Sequence, residues 1–195
     1  SKWVGFQHFV NFFHSPYFGR LLGNTFMLGI VTLVFTFPAP ILLALLLNEV
    51  RNPRFKRVTQ TISYVPYFIS TVIVVGLLKD MASTNDGIIN TAIVALGGQK
   101  IDFFASPQWF RPLYVISSIW SGIGYNSIIY LAAISGINPE LYEAAYVDGA
   151  GRFQRMFHIT LPSIRGTIGV LLILAIANIA NAGFDQIFNL YNALV

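Results

Sequence analysis

The sequence predicts an all-α, polytopic membrane protein. Of its 195 residues, 55% are hydrophobic and only 10% are charged, whereas soluble domains carry about 25% charged residues. Four uncharged stretches are each about 20 residues or longer, enough for a helix to cross the hydrocarbon core of a bilayer. Because the chain contains no cysteine, it has neither a disulfide framework nor thiolate chemistry.

The four stretches are read as transmembrane helices of a single membrane domain covering 1–195. They extend over about residues 21–48, 58–78, 112–136 and 163–184. Pro38 and Pro40 are expected to kink the first span, and Pro66 the second, because proline removes a backbone donor. A further apolar stretch, 87–99, is too short to span and predicts an interfacial or re-entrant helix.

Basic residues in the connecting segments predict the orientation of these helices. Lysine and arginine accumulate in the short cytoplasmic loops of membrane proteins. Segments 49–57 and 140–165 are rich in them and are predicted to be cytoplasmic, while 79–111 and both ends face outward. The basic residues concerned are Arg51, Arg54, Lys56, Arg57, Arg152, Arg155 and Arg165. The sequence starts without methionine and ends after an apolar segment, so we expect further helices on both sides.

Polar and aromatic side chains within two of the predicted spans indicate either close helix packing or a pathway for a polar solute. Segment 117–127, "SSIWSGIGYNS", is a poor surface for lipid. In the fourth span, Asn178, Asn181 and Asp185 would share one helical face. Aromatic rings can stack on sugar rings while amides bond to hydroxyls. The candidate pathway residues are Trp120, Tyr125, Asn126, Asn178 and Asn181.

Catalytic and metal-binding patterns are absent from the sequence. It contains no HExxH or GxSxG motif, and it has no phosphate-binding GxxxxGK[ST] loop, so the chain itself should neither bind a cofactor nor hydrolyse ATP. The basic run at 51–57 is better explained by topology and anionic lipid than by nucleic acid. A membrane-embedded enzyme is therefore the least supported function class.

The polar segment 138–162 predicts a helix, a glycine turn and a second helix. Asn138 is a typical N-cap, and Pro139 suits the first helical position. Gly149 can end this helix with a sharp turn. Because Ala144 and Ala145 have little bulk, the helix can dock in a partner's groove; an ordinary amphipathic surface helix is the alternative.

The stretch "EAAYVDGAGRFQRMFHITLP" resembles the EAA motif of ABC-importer permeases. This motif reads EAA, three residues, G, nine residues, I, one residue, LP. The proline often found four residues after the LP proline is replaced here by Gly166. Asp148 belongs to the "DGA" form found in sugar importers. The matching positions are Glu143, Ala144, Ala145, Asp148, Gly149, Ile159, Leu161 and Pro162.

Segments 24–78 and 109–150 also resemble permeases of the maltose-type sugar importers that carry oligosaccharides and polysaccharide fragments. The resemblance implies a type I ABC importer permease fold in the bacterial cytoplasmic membrane. It implies a second permease subunit, two ABC ATPase subunits that bind ATP and magnesium, and an extracytoplasmic solute-binding protein. Glu143 to Gly149 would be the coupling helix that enters the ATPase cleft. A permease for another solute stays open, although the neutral lining favours a sugar; an acidic sugar is not excluded.

Overall fold

The computed structural model describes residues 5–181 and 183–190. Every regular element within these residues is helical, which confirms the all-α fold class. In chain order the helices are α1 (Gln7–Phe13), α2 (Phe18–Thr36), α3 (Pro38–Glu49), α4 (Pro53–Tyr64), α5 (Thr71–Ala82), α6 (Ile88–Ala95), α7 (Pro107–Ser135), α8 (Pro139–Val147), α9 (Arg152–Arg155), α10 (Leu161–Ser163), α11 (Arg165–Ala177) and α12 (Phe184–Leu190). A 3-10 turn, Val65–Phe68, follows α4, and a π-helical turn, Met156–Thr160, follows α9.

Helices α2 and α3 continue into one another and form the first predicted span. Together they make a 32-residue segment, Phe18–Glu49. The Phe37 N–H still donates to the Leu33 carbonyl oxygen at 3.1 Å. Pro38 then begins α3, where a missing N–H is tolerated. The two prolines therefore interrupt the hydrogen-bond ladder without dividing the span.

Two further segments that are apolar enough to cross a membrane are strongly bent. Pro53–Phe68 and Thr71–Ala82 meet at 106°, and Arg152–Ser163 and Arg165–Ala177 meet at 63°. Judged by length and composition within the described residues, one helix can span a membrane, or up to three if each bent pair counts as one span. The total of four spans, and their orientation, stay predictions.

Helix α7 is the central helix of the fold. It has 29 residues, a length of about 43 Å, and packs against α2, α3, α4, α5, α11 and α12. It covers the predicted third span but does not qualify as one by composition, because serine, glycine and asparagine dilute its apolar residues. Gly124 lies against the Ser63 carbonyl of α4, so closely that a Cβ atom would overlap that oxygen.

Two hydrophobic core clusters lie toward the opposite ends of α7. The first core cluster joins the beginning of α7 to α2, α5 and α12, and contains Leu28, Val75, Ala82, Phe103, Leu113, Tyr114 and Leu190. The second core cluster joins the end of α7 to α3 and the polar loop, and contains Ile41, Ala44, Leu45, Tyr130, Ile134, Met156 and Ile164. The polar loop thus has its own connection to the core.

The segment between α5 and α7 is organised around the buried side chain of Asn90 in α6. Its Nδ2 donates to the carbonyl oxygens of Ala82 at 3.0 Å, Ser83 at 3.1 Å and Ile101 at 3.0 Å. Its Oδ1 accepts from the Ile101 N–H at 2.8 Å. The short helix predicted in 87–99 is therefore present, and one amide holds the surrounding turns against it.

Candidate functional site

The first candidate site is loop 138–162, whose opening helix begins as its sequence predicts. The Asn138 side-chain oxygen accepts from the Glu140 N–H at 3.1 Å, while its amide donates to the Glu140 carboxylate at 3.1 Å. Pro139 occupies the first helical position. Glu140 lies in the first turn, where the positive end of the helix dipole favours a carboxylate. Local chemistry therefore fixes the start of α8.

The end of α8 is a glycine-dependent Schellman turn. The Ala150 N–H donates to the Ala145 carbonyl at 2.8 Å, and the Gly149 N–H donates to the Tyr146 carbonyl at 3.1 Å. This pair of bonds defines the motif. Gly149 has φ +76, a backbone conformation that residues with a Cβ atom rarely adopt. The predicted glycine turn is thus confirmed, and it aims the chain into the second half of the loop.

The second half of the loop is anchored to α8 and to the core. The predicted second helix is present as α9 and then widens into the π-helical turn. Its start is held by Gln154, whose side-chain oxygen accepts from the Gly151 N–H at 2.7 Å. The Tyr142 hydroxyl lies 2.9 Å from the Thr160 hydroxyl, and Thr160 is only 1% exposed. The Tyr142–Thr160 hydrogen bond therefore joins the two halves of the loop.

The residues of the EAA-like motif divide into an outward and an inward group. Glu143, Ala144, Asp148 and Gly149 are exposed. Three bulky apolar side chains of the same loop are also largely exposed, namely Tyr146 at 74%, Val147 at 85% and Phe153 at 73%. A cavity of about 370 Å³ opens on the same side, lined in part by Ala145, Asp148, Gly149 and Ile159. This outward group is chemically suited to receive a partner protein.

The inward group ties the loop to the membrane helices. Leu161 packs against the second core cluster, which contains Met156 from the same loop and Ile164 from the start of α11. Pro162 is itself exposed, and it lies in α10, just before the 63° bend that leads into α11. Packing contacts therefore connect this loop to α3 and α7.

The second candidate site is a row of three cavities along α2. The first cavity, about 520 Å³, lies at the start of α2 and is lined by Arg20, Leu21, Asn24, Thr25, Leu28, Pro107, Gln108, Phe110, Arg111 and Ile187. The second, about 140 Å³, shares Leu28 with it. The third, about 210 Å³, shares Leu33, Thr36 and Ala175 with the second. The row therefore follows one face of α2 as far as Pro40 in α3.

Three of the five predicted pathway residues lie on this row. Asn178 and Asn181 line the second cavity, and Asn126 lines the third. The prediction that Asn178, Asn181 and Asp185 share one helical face is wrong, because α11 ends at Ala177. The Asn178 amide donates to the Leu174 carbonyl at 2.9 Å and so caps the broken helix. Because α11 ends at Ala177, both asparagines lie in the segment that lines the second cavity.

The two aromatic pathway candidates lie elsewhere. Tyr125 stacks on Tyr67 with a centroid distance of 3.8 Å and an interplanar angle of 6°, and its edge meets Phe68. Trp120 is 41% exposed and is not among the described residues that line the three cavities. The structure therefore brings the amides together and leaves the two rings apart from them.

Two further polar groups lie in this region, and sequence reasoning missed the first of them, Gln186. The Gln186 amide of α12 donates to the Tyr114 carbonyl at 3.0 Å, to the Ser117 hydroxyl at 2.7 Å and to the Ser118 hydroxyl at 3.0 Å. The buried Thr32 hydroxyl, beside the second cavity, has no hydrogen-bond partner among the described residues. Only its polarity within an apolar stretch marked Gln186, whereas Thr32 repeats with Thr25, Gly29 and Thr36 on one face of the first span. Within the same residues, no group of three potential metal ligands occurs.

Comparisons with known proteins agree with this architecture. The sequence profile of a family described as "Binding-protein-dependent transport system inner membrane component" matches residues 17–184. Protein LplB of Bacillus subtilis (strain 168) is 51% identical over 194 residues, which are 100% of this chain and 61% of that protein. The polygalacturonan/rhamnogalacturonan transport system permease protein YteP of the same organism is 51% identical over 193 residues, 99% of this chain and 60% of that protein. The chain thus spans less than two thirds of these relatives.

Solved structures show the same helix arrangement. A crystal structure of a bacterial ABC transporter involved in the import of the acidic polysaccharide alginate contains a chain that is 46% identical and superposes with a TM-score of 0.92. The match covers 100% of this chain and 68% of that one. A second structure, of the bacterial alginate ABC transporter in complex with alginate pentasaccharide-bound periplasmic protein, gives a TM-score of 0.91 at 46% identity, covering 98% of this chain and 66% of that one. The fold is therefore that of an ABC importer permease.

Proposed function

The chain belongs to the family of binding-protein-dependent transport system inner membrane components, and on this premise we propose that it forms part of the permease subunit of an ATP-driven importer of an oligosaccharide. The observation that carries the proposal is the construction of loop 138–162. Its outward group is exposed and chemically unusual, while Leu161 and Met156 fix the same loop in the second core cluster. A loop built in this way can receive a partner and pass its motion to the membrane helices.

In this proposal α8 is the coupling helix that docks in the cleft of an ABC ATPase subunit. Ala144 and Ala145 let the walls of the cleft approach the helix backbone, and Glu143 supplies a charge for a basic partner. Val147 and Tyr146 add apolar surface that is exposed in the isolated chain. ATP and magnesium would be bound by two such ATPase subunits. The EAA-like residues of this chain would only contact those ATPase subunits, and they would not bind the nucleotide.

The mechanism we propose is alternating access. Closure of the ATPase pair moves the loop, and the second core cluster transfers that displacement to α3 and α7 because packed interiors transmit strain. The 63° bend between Arg152–Ser163 and Arg165–Ala177 is the joint at which the displacement changes direction. A second permease subunit would complete the pathway, and an extracytoplasmic solute-binding protein would deliver the sugar.

The row of cavities is the part of the proposed pathway that this chain contributes. Its second and third cavities offer the neutral amides of Asn126, Asn178 and Asn181, and the hydroxyl of Thr32. Such groups can exchange hydrogen bonds with sugar hydroxyls as the solute advances. The Tyr67–Tyr125 stack and Trp120 would offer aromatic faces to sugar rings at other points of the route.

The docking role is tested with the full-length permease, co-expressed with its ATPase. Glu143→Lys reverses a charge at the proposed contact, and we expect it to reduce both the co-purified ATPase and sugar uptake at least about tenfold. Asp86→Lys, the same reversal of charge at an exposed position between α5 and α6, is the matched control and should retain most of both. If Glu143→Lys binds the ATPase as the wild type does, the docking proposal is wrong.

The carbohydrate proposal has a separate test. The assembled transporter in proteoliposomes should show ATPase activity stimulated by its solute-binding protein loaded with an oligosaccharide. Stimulation by amino acids or phosphate, without stimulation by any saccharide, would instead indicate a permease for another solute.

A further inference from the structure

The first cavity differs from the other two in charge. Two guanidinium groups line it, Arg20 from α2 and Arg111 from α7, together with the polar side chains of Asn24 and Gln108. None of its lining residues is acidic. Both arginine side chains are exposed, and neither forms an ion pair or hydrogen bond with any other residue that the structure describes. The cavity therefore presents a net charge of two positive units to whatever enters it.

The same cavity adjoins the proposed sugar pathway. It shares Leu28 with the second cavity, where Asn178 and Asn181 lie. Along α2 the row extends from Arg20 to Thr36, about 24 Å at 1.5 Å per residue. A solute that reaches the asparagines from the Arg20 end passes both arginines.

Resting on the proposed function, we propose that Arg20 and Arg111 form a carboxylate-binding subsite that selects acidic oligosaccharides at the mouth of the pathway. A guanidinium group matches a carboxylate with two parallel hydrogen bonds, and arginines on two helices can bind the carboxylates of one uronic acid chain. Gln108 and Asn24 can bond to the ring hydroxyls, and the Phe110 ring supplies an apolar surface. This ligand class agrees with the acidic polysaccharide named for the structurally similar transporter.

Lipid phosphate is the other anion that two exposed arginines can bind. The position of the cavity favours the sugar, because it shares Leu28 with the cavity that Asn178 and Asn181 line. A lipid-anchoring role would make the effect of these arginines depend on the anionic lipid content of the membrane. A sugar-binding role would make it depend on the charge of the solute.

The experiment uses the full-length permease assembled with its partner subunits in proteoliposomes. The probes are the trisaccharides of galacturonate and of alginate, each compared with its neutral methyl ester. The variants are Arg20→Gln/Arg111→Gln and the conservative Arg20→Lys/Arg111→Lys. Lys100→Gln is the matched control, because it removes one basic charge of the 79–111 segment from outside the cavity.

We expect the wild type to import at least one acid trisaccharide in preference to its ester. The double glutamine variant should lose about 10- to 100-fold of the acid uptake, with ester uptake changed less than about threefold. The lysine variant should recover part of the loss, and added salt should weaken acid uptake in the wild type. Lys100→Gln should behave as the wild type does.

Three outcomes overturn the inference. Equal loss of acid and ester uptake in the glutamine variant shows a structural role, and a loss that appears only in anionic vesicles shows lipid anchoring. A wild type that imports the esters as well as the acids also contradicts the subsite, while the carbohydrate function stands. If saccharide-loaded binding protein fails even to stimulate the ATPase, the proposed function itself fails.

Discussion

The hydroxyl of Tyr142 in α8 and the hydroxyl of Thr160 in the π-helical turn lie 2.9 Å apart, joining two segments separated by the glycine turn. Thr160 is almost completely buried, so its hydroxyl has few alternatives to this partner. The bond connects the helix that carries Glu143 and Ala144 to a buried residue of the π-helical turn. Its removal should therefore loosen α8 selectively.

Tyr142→Phe keeps the ring and removes only this bond. A hydrogen bond of this kind contributes about 1 kcal/mol, so we expect the amide hydrogens of 139–147 to exchange about fivefold faster in the full-length protein. Tyr146→Phe is the matched control, because Tyr146 is 74% exposed and should show no change. Equal exchange in both variants would mean that the bond does not hold the helix.

Gly149→Ala tests the backbone conformation of the turn. Nothing lies within 4 Å of a Cβ atom added there, so the cost comes from φ +76 alone. We expect a loss of about 1–2 kcal/mol in stability, visible as a lower melting temperature of the purified protein. Gly151→Ala is the control, since its φ of −68 is accessible to any residue. A melting temperature of Gly149→Ala at or above that of Gly151→Ala contradicts the turn.

Gly29→Ala tests the contact of α2 with the break after α11. A Cβ atom at Gly29 would overlap the Ile179 carbonyl oxygen, whereas one at Gly23 in the same helix meets nothing within 4 Å. We expect Gly29→Ala to destabilise by about 1–3 kcal/mol. Gly23→Ala should be neutral or stabilising by up to about 1 kcal/mol, because alanine is the better helix former. Thermal unfolding of both variants in detergent measures the difference, and similar values would exclude the close approach.

Asn90→Ala tests the support of the segment between α5 and α7. The substitution deletes the amide that bonds to Ala82, Ser83 and Ile101 and leaves buried backbone groups without partners. We expect about 2–4 kcal/mol of destabilisation and rapid proteolytic cleavage within 83–106. Asn85→Ala, at an exposed position in the same segment, should resist cleavage as the wild type does. Equal resistance in both variants would show that Asn90 is not the support.

Elements controlled by neighbouring residues could be predicted from the sequence. The effects of Asn138, Pro139 and Gly149 on the backbone reach only a few residues along the chain, so the limits of α8 follow from cap and turn chemistry. The family assignment rested on residues of the same loop, and the sequence profile confirms it. The roles of Glu143 and of the asparagines stay predictions, because a single chain contains neither partner nor solute.

Features that depend on distant partners were not predictable. Gln186 bonds to serines about seventy positions earlier, and Tyr125 finds Tyr67 only once α4 and α7 have packed. No proline or glycine directly follows Ala177 to mark the end of α11 in the sequence. There the Asn178 amide donates to the Leu174 carbonyl, and the sequence alone does not favour this bond over a continued helix. The prediction of one face for Asn178, Asn181 and Asp185 failed for this reason.

The polar composition of α7 has a consequence for how the protein is made. A helix that is long enough but too rich in serine, glycine and asparagine gains little by entering lipid alone. Helices α2 and α3 are synthesised earlier, and they are the surfaces on which α7 later rests. We therefore expect α7 to remain beside the insertion machinery until it can pack against α2 and α3. These two helices are thus expected to provide the surface on which the polar central helix assembles.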